Sequence, residues 1–249
     1  MGALATEVAR TREALSLHRI AGWGDTPLYS GRTKSGDTVI VFNTGVGKVR
    51  ASAATQYAID RFNPTHILFV GAAGALNTSL SPGQVVVADK VIEYDFDDRA
   101  LARNPEKPPR AWDTDEVLGC ELASAAARVL DAENCRHGTV LTGDKVVCDV
   151  DERDRLRQAF GGDCIEMEGA AVAATGSHCG IPVGVLRVVS DFADRSSPVN
   201  FADMLGCVGA ILARIVEEVV SRAVTEAVSA RGAVTAGTAA TAGRIRSRR

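Results

Sequence analysis

A pair of glutamates in this sequence is placed where carboxylates could bind a sugar. Glu166 and Glu168 flank Met167, directly after a short apolar stretch and before an alanine-rich helical pattern. Two acids spaced by two residues share a face of an extended chain but splay apart in a helix. A carboxylate at a strand-to-helix junction can accept hydrogen bonds from vicinal hydroxyls. The structural alternative is a helix N-terminus whose dipole favours acids, and the local context favours the ligand-binding interpretation.

A second acidic position follows a buried strand. Ser190 and Asp191 end the apolar run at residues 183–189, which is typical of a strand covered on both faces. Such a strand end faces the crevice in which open α/β sheets bind ligands. Desolvation there raises the pKa of a carboxyl group, and a carboxyl that keeps its proton near neutrality can act as a general acid. A helix N-cap or a loop acid explains this position equally well.

Two glycine-rich turns also follow predicted strands. Residues 44–49 (TGVGKV) open a helix, where backbone amides can bind an anion, but they match neither the P-loop nor the dinucleotide fingerprint, so a tight turn is favoured. Residues 71–75 (GAAGA) lie past a buried strand, and ligand contact and a plain turn are equally supported there. The four histidines have no metal-ligand spacing, so no metal is expected.

The elements that must position these groups alternate along the chain. Strands are predicted at residues 38–42, 66–70, 84–88, 139–141 and 183–189, and helices at 48–62, 116–130, 167–178 and from about Asn200 onward. The first strand, helix and second strand predict a βαβ unit. The charged, proline-bearing residues 95–112 predict an excursion at the edge of the sheet. The pattern as a whole predicts an α/β fold, a three-layer α/β/α sandwich with a mixed, mostly parallel central sheet.

Composition limits the classes of function. Residues 1–228 suit one domain, and residues 229–249, with five arginines and no acid, predict a disordered basic tail. The rest is therefore more acidic than the net charge of −3 indicates, which argues against nucleic-acid binding. Six scattered cysteines without a CxxC pair predict reduced thiols in a cytoplasmic protein. No apolar run is expected to span a membrane.

Six motifs in order carry a resemblance to a known family. They are NTGVGKV (43–49), VGAAGAL (70–76), PGQVVVAD (82–89), LTGD (141–144), IEMEGAAVA (165–173) and RVVSDFAD (187–194). In this order they resemble the purine nucleoside phosphorylase-like superfamily, and most closely its methylthioadenosine/S-adenosylhomocysteine nucleosidase branch. The likeness runs from residue 2 to about residue 215. It implies hydrolysis of the N-glycosidic bond of a purine nucleoside, a 5'-substituted adenine nucleoside by family habit, without cofactor, in a homodimer whose partner helps shape the pocket.

The resemblance also implies roles. Asp191 would protonate purine N7 and Ser190 would orient it, while Glu7 would activate the water and Glu168 would hold the ribose 2'- and 3'-hydroxyls. Arg187 matches the arginine beside the pocket. The remaining implied substrate-binding residues are Met167 along the sugar, Glu166 as a nearby pocket acid, Val146 and Val147 around the base, Phe201 at the 5' substituent, and Ala72 and Gly74 in the small-residue turn.

The sequence departs from the family pattern in four places. The family has a whole β-strand before the Gly2–Ala3 pair, and here Met1 precedes it, so the strand's slot is expected to be exposed or filled by a neighbour unless the start codon is misassigned. Val146 stands where the nucleosidases carry a phenylalanine that stacks on adenine. Ala72 replaces the usual serine. Residues 95–112 lack the family's aromatic-rich segment, which leaves the 5' pocket undefined.

Two rival functions remain at this point. Phosphorolysis needs a phosphate site of arginines and a serine, and the corresponding residues 69–72 (FVGA) hold neither, so water is favoured because a buried dianion without cationic partners is costly. The second rival is a nucleoside-binding protein that has lost catalysis. The truncated start and Val146 are the features that support it.

Overall fold

Nine strands and seven α-helices follow one another in residues 1–33 and 36–222, the part of the chain that this computed structural model describes. The strands are β1 His18–Trp23, β2 Thr26–Arg32, β3 Thr38–Val41, β4 Ile67–Ala75, β5 Val85–Glu93, β6 Arg110–Asp113, β7 Cys135–Thr142, β8 Cys164–Glu166 and β9 Val183–Asp191. The helices are α1 Ala5–Ala14, α2 Lys48–Phe62, α3 Arg99–Ala102, α4 Glu116–Leu130, α5 Val150–Phe160, α6 Gly169–Cys179 and α7 Ser197–Ser221. The tail predicted to be disordered, residues 229–249, lies outside the described residues.

The described strands form two sheets. β1, β2 and β3 make an antiparallel sheet of three, and the other six are ordered β6-β5-β7-β8-β4-β9. β5 also pairs antiparallel with β9, so five of these strands close on themselves. The parallel pairs β4–β9, β5–β7 and β7–β8 and the antiparallel pair β4–β8 make this sheet mixed. Helices α2 and α6 pack on one side of it and α4 and α7 on the other, which confirms the predicted α/β sandwich.

Local sequence explains most element boundaries. α2 and α4 have the predicted bounds, since Asn63 ends α2 in the left-handed conformation before Pro64 and Asp115 caps α4 through the Leu118 N–H at 3.0 Å. The predicted strands at 66–70, 84–88, 139–141 and 183–189 were all too short. β4 runs on to Ala75 because the small residues of the GAAGA turn pair with β8 and β9. The predictions missed six elements, α1, α3, α5, β1, β2 and β6, and α7 begins three residues before Asn200.

The predicted βαβ unit was wrong in one respect, because β3 and β4 belong to different sheets. The first three residues lie between them. The Met1 amine donates to the Leu68 carbonyl at 2.7 Å, and the N–H groups of Val70 and Thr44 donate to the carbonyls of Met1 and Gly2 at 2.9 and 2.8 Å. Residues 1–3 thus occupy part of the strand slot, and a groove of about 490 Å³ continues it between β3 and the start of β4.

α7 corrects the expectation that no segment is long and apolar enough for a membrane. Among the described residues, Val199–Ser221 meets that condition by length and composition, and 33% of an 18-residue window within it is buried inside the protein. Val208, Leu212 and Ile215 form its buried face and pack against Leu118 and Leu122 of α4. The apolar face of α7 is therefore part of the core that supports the sheet.

Candidate active site

A cavity of about 570 Å³ opens at the carboxyl ends of β4, β8 and β9. This is the edge of an α/β sheet at which ligands bind. Eleven of the twelve predicted site residues line it, namely Glu7, Ala72, Gly74, Val146, Val147, Glu166, Met167, Glu168, Ser190, Asp191 and Phe201. Three buried carboxylates that are far apart in sequence, Glu7, Glu168 and Asp191, therefore face one space.

Asp191 ends β9 and is 6% exposed. Its Oδ2 accepts from the Ser190 hydroxyl at 2.7 Å, and its Oδ1 accepts from the Ala193 N–H at 2.9 Å. The Ser190 hydroxyl also lies 3.2 Å from the Ala73 carbonyl oxygen of the adjacent strand. These bonds fix the direction of the carboxyl group, and together with its place on the cavity wall they present it to whatever occupies the cavity.

Glu168 follows β8 and precedes α6, with 5% of its surface exposed. Its Oε1 accepts from the Gly47 N–H at 2.8 Å, at the N-terminus of α2. Burial first, and then the neighbouring charge of Glu166, raise the pKa of Glu168 to about 7 against the opposing effect of the hydrogen bond from the Gly47 N–H. The carboxyl group therefore passes between its protonated and ionised forms near neutral pH. Among the described residues no group donates to its Oε2, so this oxygen can accept a hydrogen bond from a hydroxyl in the cavity.

Glu166 lines the cavity but uses its oxygens within the protein. They accept from Arg187 Nη2 at 2.6 Å, from the Gly169 N–H at 2.8 and 2.9 Å, from the Glu168 N–H at 3.0 Å and from the Thr142 hydroxyl. The predicted pocket acid therefore fixes the backbone from which Glu168 projects. The buried guanidinium of Arg187, rather than a ligand, neutralises the charge of Glu166.

Arg187, the arginine predicted beside the pocket, does not line the cavity itself and contacts Glu166, which does. The side chain is 1% exposed and lies behind Glu166. Its Nη1 donates to the Phe69 carbonyl at 3.3 Å, and its guanidinium carbon lies 4.4 Å from the centre of the Phe69 ring. The guanidinium group sits in the wall because only a cation can neutralise a carboxylate buried as deeply as Glu166.

Glu7 reaches the cavity from α1. Its Oε1 accepts from the Ala72 N–H and its Oε2 from the Leu4 N–H, both at 2.8 Å. Burial raises the pKa of Glu7 above that of a free glutamate, which makes its ionised form a stronger base. A side chain at Gly71 would place its Cβ 2.8 Å from Glu7 Oε1, so glycine there leaves room for this carboxylate.

Apart from Lys145 and Ser197, the remaining wall is apolar. Val147 is 4% exposed, whereas Val146 is 64% exposed at the mouth, and Phe201 faces them from the second turn of α7. The sequence predictions missed several lining residues: Ala3, Leu4, Val46, Ala73, Lys145, Cys148, Ile165 and Ser197. No local signal marked most of these positions, but the anion-binding geometry recognised at residues 44–49 could have identified the contact between Gly47 and Glu168. Among the described residues, no cluster of His, Cys, Asp or Glu could hold a metal ion.

Comparison with known proteins places this site in a family. The family model described as the phosphorylase superfamily matches residues 1–221. This chain belongs to the phosphorylase superfamily. The resemblance to its nucleosidase branch is also confirmed, since the chain is 34% identical over 209 residues to the 5'-methylthioadenosine/S-adenosylhomocysteine nucleosidase of Tolumonas auensis, covering 82% of this chain and 90% of that protein. An aminodeoxyfutalosine nucleosidase of Campylobacter jejuni is 29% identical over 82% of this chain and 90% of that protein.

Solved structures of superfamily members have the same fold. The nucleosidase of Neisseria meningitidis, in complex with methylthio-immucillin-A, matches with a TM-score of 0.79 at 28% identity, covering 88% of this chain and 96% of that one. Futalosine hydrolase of Helicobacter pylori also matches with a TM-score of 0.79 at 27% identity, covering 88% and 94% of the two chains. The predicted nucleoside phosphorylase-like fold is therefore confirmed.

Proposed function

We propose that this chain hydrolyses the N-glycosidic bond of a purine nucleoside and releases the free base and the sugar. The observation that supports this most directly is that Asp191, Glu168 and Glu7 line one cavity of nucleoside size. The named relatives are nucleosidases of the same superfamily. An acid, a sugar-binding carboxylate and a base for water are the groups that this reaction requires.

The reaction follows from the placement of these groups. As the C1'–N9 bond breaks, its electron pair moves to the purine, and Asp191 donates a proton to N7, so the base leaves neutral. The sugar becomes an oxocarbenium-like cation. Water adds its oxygen to C1' and gives its proton to Glu7, which the N–H groups of Leu4 and Ala72 hold in place. A proton then returns from Glu7 to Asp191 through solvent.

Glu168 is assigned to the ribose 2'- and 3'-hydroxyls. Its ionised form is attracted more strongly to the developing cation than to the neutral substrate, so part of its binding energy appears only in the transition state. The pKa of about 7 means that this form is populated at and above neutrality. We therefore expect kcat/KM to fall on the acid side of pH 7.

Water is favoured over phosphate by the charges around the cavity. Arg187 is already neutralised by Glu166 behind the wall. Among the lining residues that the structure describes, Lys145 is the one cation, and its ammonium is bonded to Glu152 at 2.6 and 2.9 Å. A phosphate dianion would meet three carboxylates without a free cationic partner. Base release should therefore proceed at the same rate with and without phosphate or arsenate, and phosphate-dependent formation of a sugar 1-phosphate would overturn the assignment.

Asp191→Asn tests catalysis against the alternative of a nucleoside-binding protein. Asparagine keeps the size of the side chain but cannot donate the carboxyl proton, so we expect kcat for base release to fall by about 10²–10⁴. Binding of the nucleoside, measured by calorimetry, should persist. Asp203→Asn, at an exposed position of α7, is the control and should keep wild-type activity. If the wild-type chain binds purine nucleosides tightly but never cleaves them, it is a binder.

The substrate class is proposed as 5'-substituted adenine nucleosides. The named relatives act on methylthioadenosine, S-adenosylhomocysteine and aminodeoxyfutalosine. In this chain Val146 lines the part of the cavity assigned to the base, where the nucleosidases carry a phenylalanine. Adenine therefore gains less stacking energy here than it would against an aromatic ring. A panel of adenine and 6-oxopurine nucleosides with different 5' groups, followed by chromatography of the released base, identifies the preferred substrate.

We also propose that the protein works as a homodimer. Val46 and Val146 line the cavity and are 46% and 64% exposed, and Val49, three residues after Val46, is 81% exposed. Exposed apolar side chains around a polar site are typical of an interface. Sedimentation analysis should give twice the chain mass, and Val49→Asp should shift it toward the monomer.

A further inference from the structure

One lysine outside the cavity connects two of its walls. Lys48 is the first residue of α2, and its side chain is 17% exposed. Its ammonium lies 2.9 Å from Glu93 Oε1, 2.5 Å from Asp95 Oδ1 and 3.7 Å from Asp144 Oδ2. These carboxylates come from the end of β5, the loop after β5 and the loop after β7. The last of these loops continues into residues 145–148, which line the cavity.

The backbone at the start of α2 binds two carboxylates of the same protein. The Gly47 N–H donates to Glu168 Oε1 at 2.8 Å, and the Lys48 N–H donates to Asp144 Oδ1 at 2.9 Å. Gly47 has a φ of +95°, and a Cβ there would lie 3.3 Å from Asp144 Oδ1. The turn at residues 44–49 matched no nucleotide fingerprint, and in this structure the anions at the helix N-terminus are side chains 121 and 96 residues away.

We propose that Lys48 is a positioning residue that keeps the Gly47 N–H directed at Glu168 and holds the loop at residues 143–148 against the cavity. This inference rests on the proposed hydrolysis for its kinetic consequence but not for its structural one. Lys48 touches no substrate. It acts through Gly47 on Glu168, the carboxylate assigned to the sugar, and through Asp144 on residues 145–148, which line the cavity.

The need for a cation follows from the charges that converge on it. Glu93, Asp95 and Asp144 are 13%, 28% and 48% exposed, so solvent screens their mutual repulsion only in part. Burial lowers the pKa of Lys48, but the hydrogen bonds that its ammonium donates to Asp95 and Glu93 more than offset this and raise the pKa overall, so the lysine stays charged. Without the ammonium, the repulsion separates these carboxylates, the turn moves with Asp144, and Glu168 loses its Gly47 donor.

The consequence can be measured without catalysis, because the Gly47 bond lowers the pKa of Glu168. Carbon-13 NMR of glutamate-labelled protein, with the Glu168 signal assigned from Glu168→Gln, gives the titration midpoint directly. We expect about 7 in the wild type and a rise of at least ~0.5 units in Lys48→Met, about threefold in the proton-binding constant. Lys48→Arg and the exposed control Lys90→Met should leave the midpoint unchanged.

A charge-balanced variant separates positioning from a simple change of charge. Lys48→Met/Glu93→Gln removes one positive and one negative group, and its midpoint should stay raised because the link to Asp95 and Asp144 is still lost. In kinetics, Lys48→Met should lower kcat/KM about 10–100-fold, as a displacement of ~1 Å does, with its acid limb moved to higher pH and with activity recovered in Lys48→Arg.

The outcomes are distinct for the two proposals. A wild-type chain that releases no base refutes the proposed function, and the NMR titration still decides the role of Lys48. An unmoved midpoint in Lys48→Met overturns the positioning role, as does a wild-type midpoint in the charge-balanced variant. Loss of activity in Lys48→Met and Lys48→Arg alike, with no shift of the midpoint, would mean that the lysine only stabilises the fold.

Discussion

Replacing Glu168 with glutamine should make the protein more stable while it loses activity. Burial, together with the charge of Glu166, raises the pKa of this group from 4.5 to about 7. At 1.36 kcal/mol per unit, the ionised carboxylate costs the folded state roughly 3 kcal/mol at alkaline pH. The sign follows because the folded protein binds this proton more tightly than the unfolded chain. The stabilisation by the protonated acid is complete below pH 4.5 and is lost as the pH rises through 7.

Glutamine cannot ionise, and its side-chain oxygen can still accept from the Gly47 N–H. The free energy of unfolding of Glu168→Gln minus that of the wild type should therefore increase by roughly 2–3 kcal/mol between pH 5 and pH 8.5. At the alkaline end this corresponds to a rise in Tm of about 5–10 °C for a chain of this size. Base release should fall with the loss of the charge that is drawn to the sugar cation.

Urea unfolding at a fixed protein concentration, repeated across this pH range, measures the difference. The matched control is Glu106→Gln, at an exposed glutamate in the excursion between β5 and β6, which should show no pH-dependent change. A stability difference between Glu168→Gln and the wild type that stays constant with pH would refute the reasoning, because it would mean that burial does not raise the pKa of Glu168 into this pH range.

Two further outcomes follow from groups buried around the site. Arg187→Met should lower the free energy of unfolding by about 3–5 kcal/mol, because it leaves Glu166 buried without its cation, and adding Glu166→Gln should recover part of the loss in urea unfolding. Gly71→Ala should lower kcat for base release by about tenfold or more, since the added Cβ would lie only 2.8 Å from Glu7 Oε1 and would displace this carboxylate. An unchanged kcat would argue against Glu7 as the base.

The proposed mechanism and the proposed positioning residue share one structural cause. Glu168 is held at the cavity by the backbone of α2 on one side and by the fixed backbone at Glu166 on the other. Both supports end in buried or partly buried ion pairs, Lys48 with its three carboxylates and Arg187 with Glu166. In both proposals, therefore, the cations around this site position Glu168 rather than bind an anionic substrate.

Local pattern in the sequence was sufficient for several elements and acids. The apolar periodicity and the stop at Asn63 determine α2, and the capping acid Asp115 determines the start of α4. The run of apolar residues in β9 identifies a strand buried on both faces, and its last residue, Asp191, could be predicted to face a ligand crevice. These features depend on neighbours within one or two turns or on the alternation of a single strand, which the sequence displays directly.

Only the tertiary structure decided which distant groups meet. β1 is exposed along nearly its whole length and has no apolar alternation to reveal it. The pairing of β5 with β9, the burial of Arg187 behind Glu166 and the contact from Gly47 to Glu168 join residues that are far apart in the chain. Such contacts depend on how strands are ordered and how helices pack around them. A linear pattern determines which residues are apolar or charged, but the partner of a buried charge is fixed only when the closed sheet brings the two together.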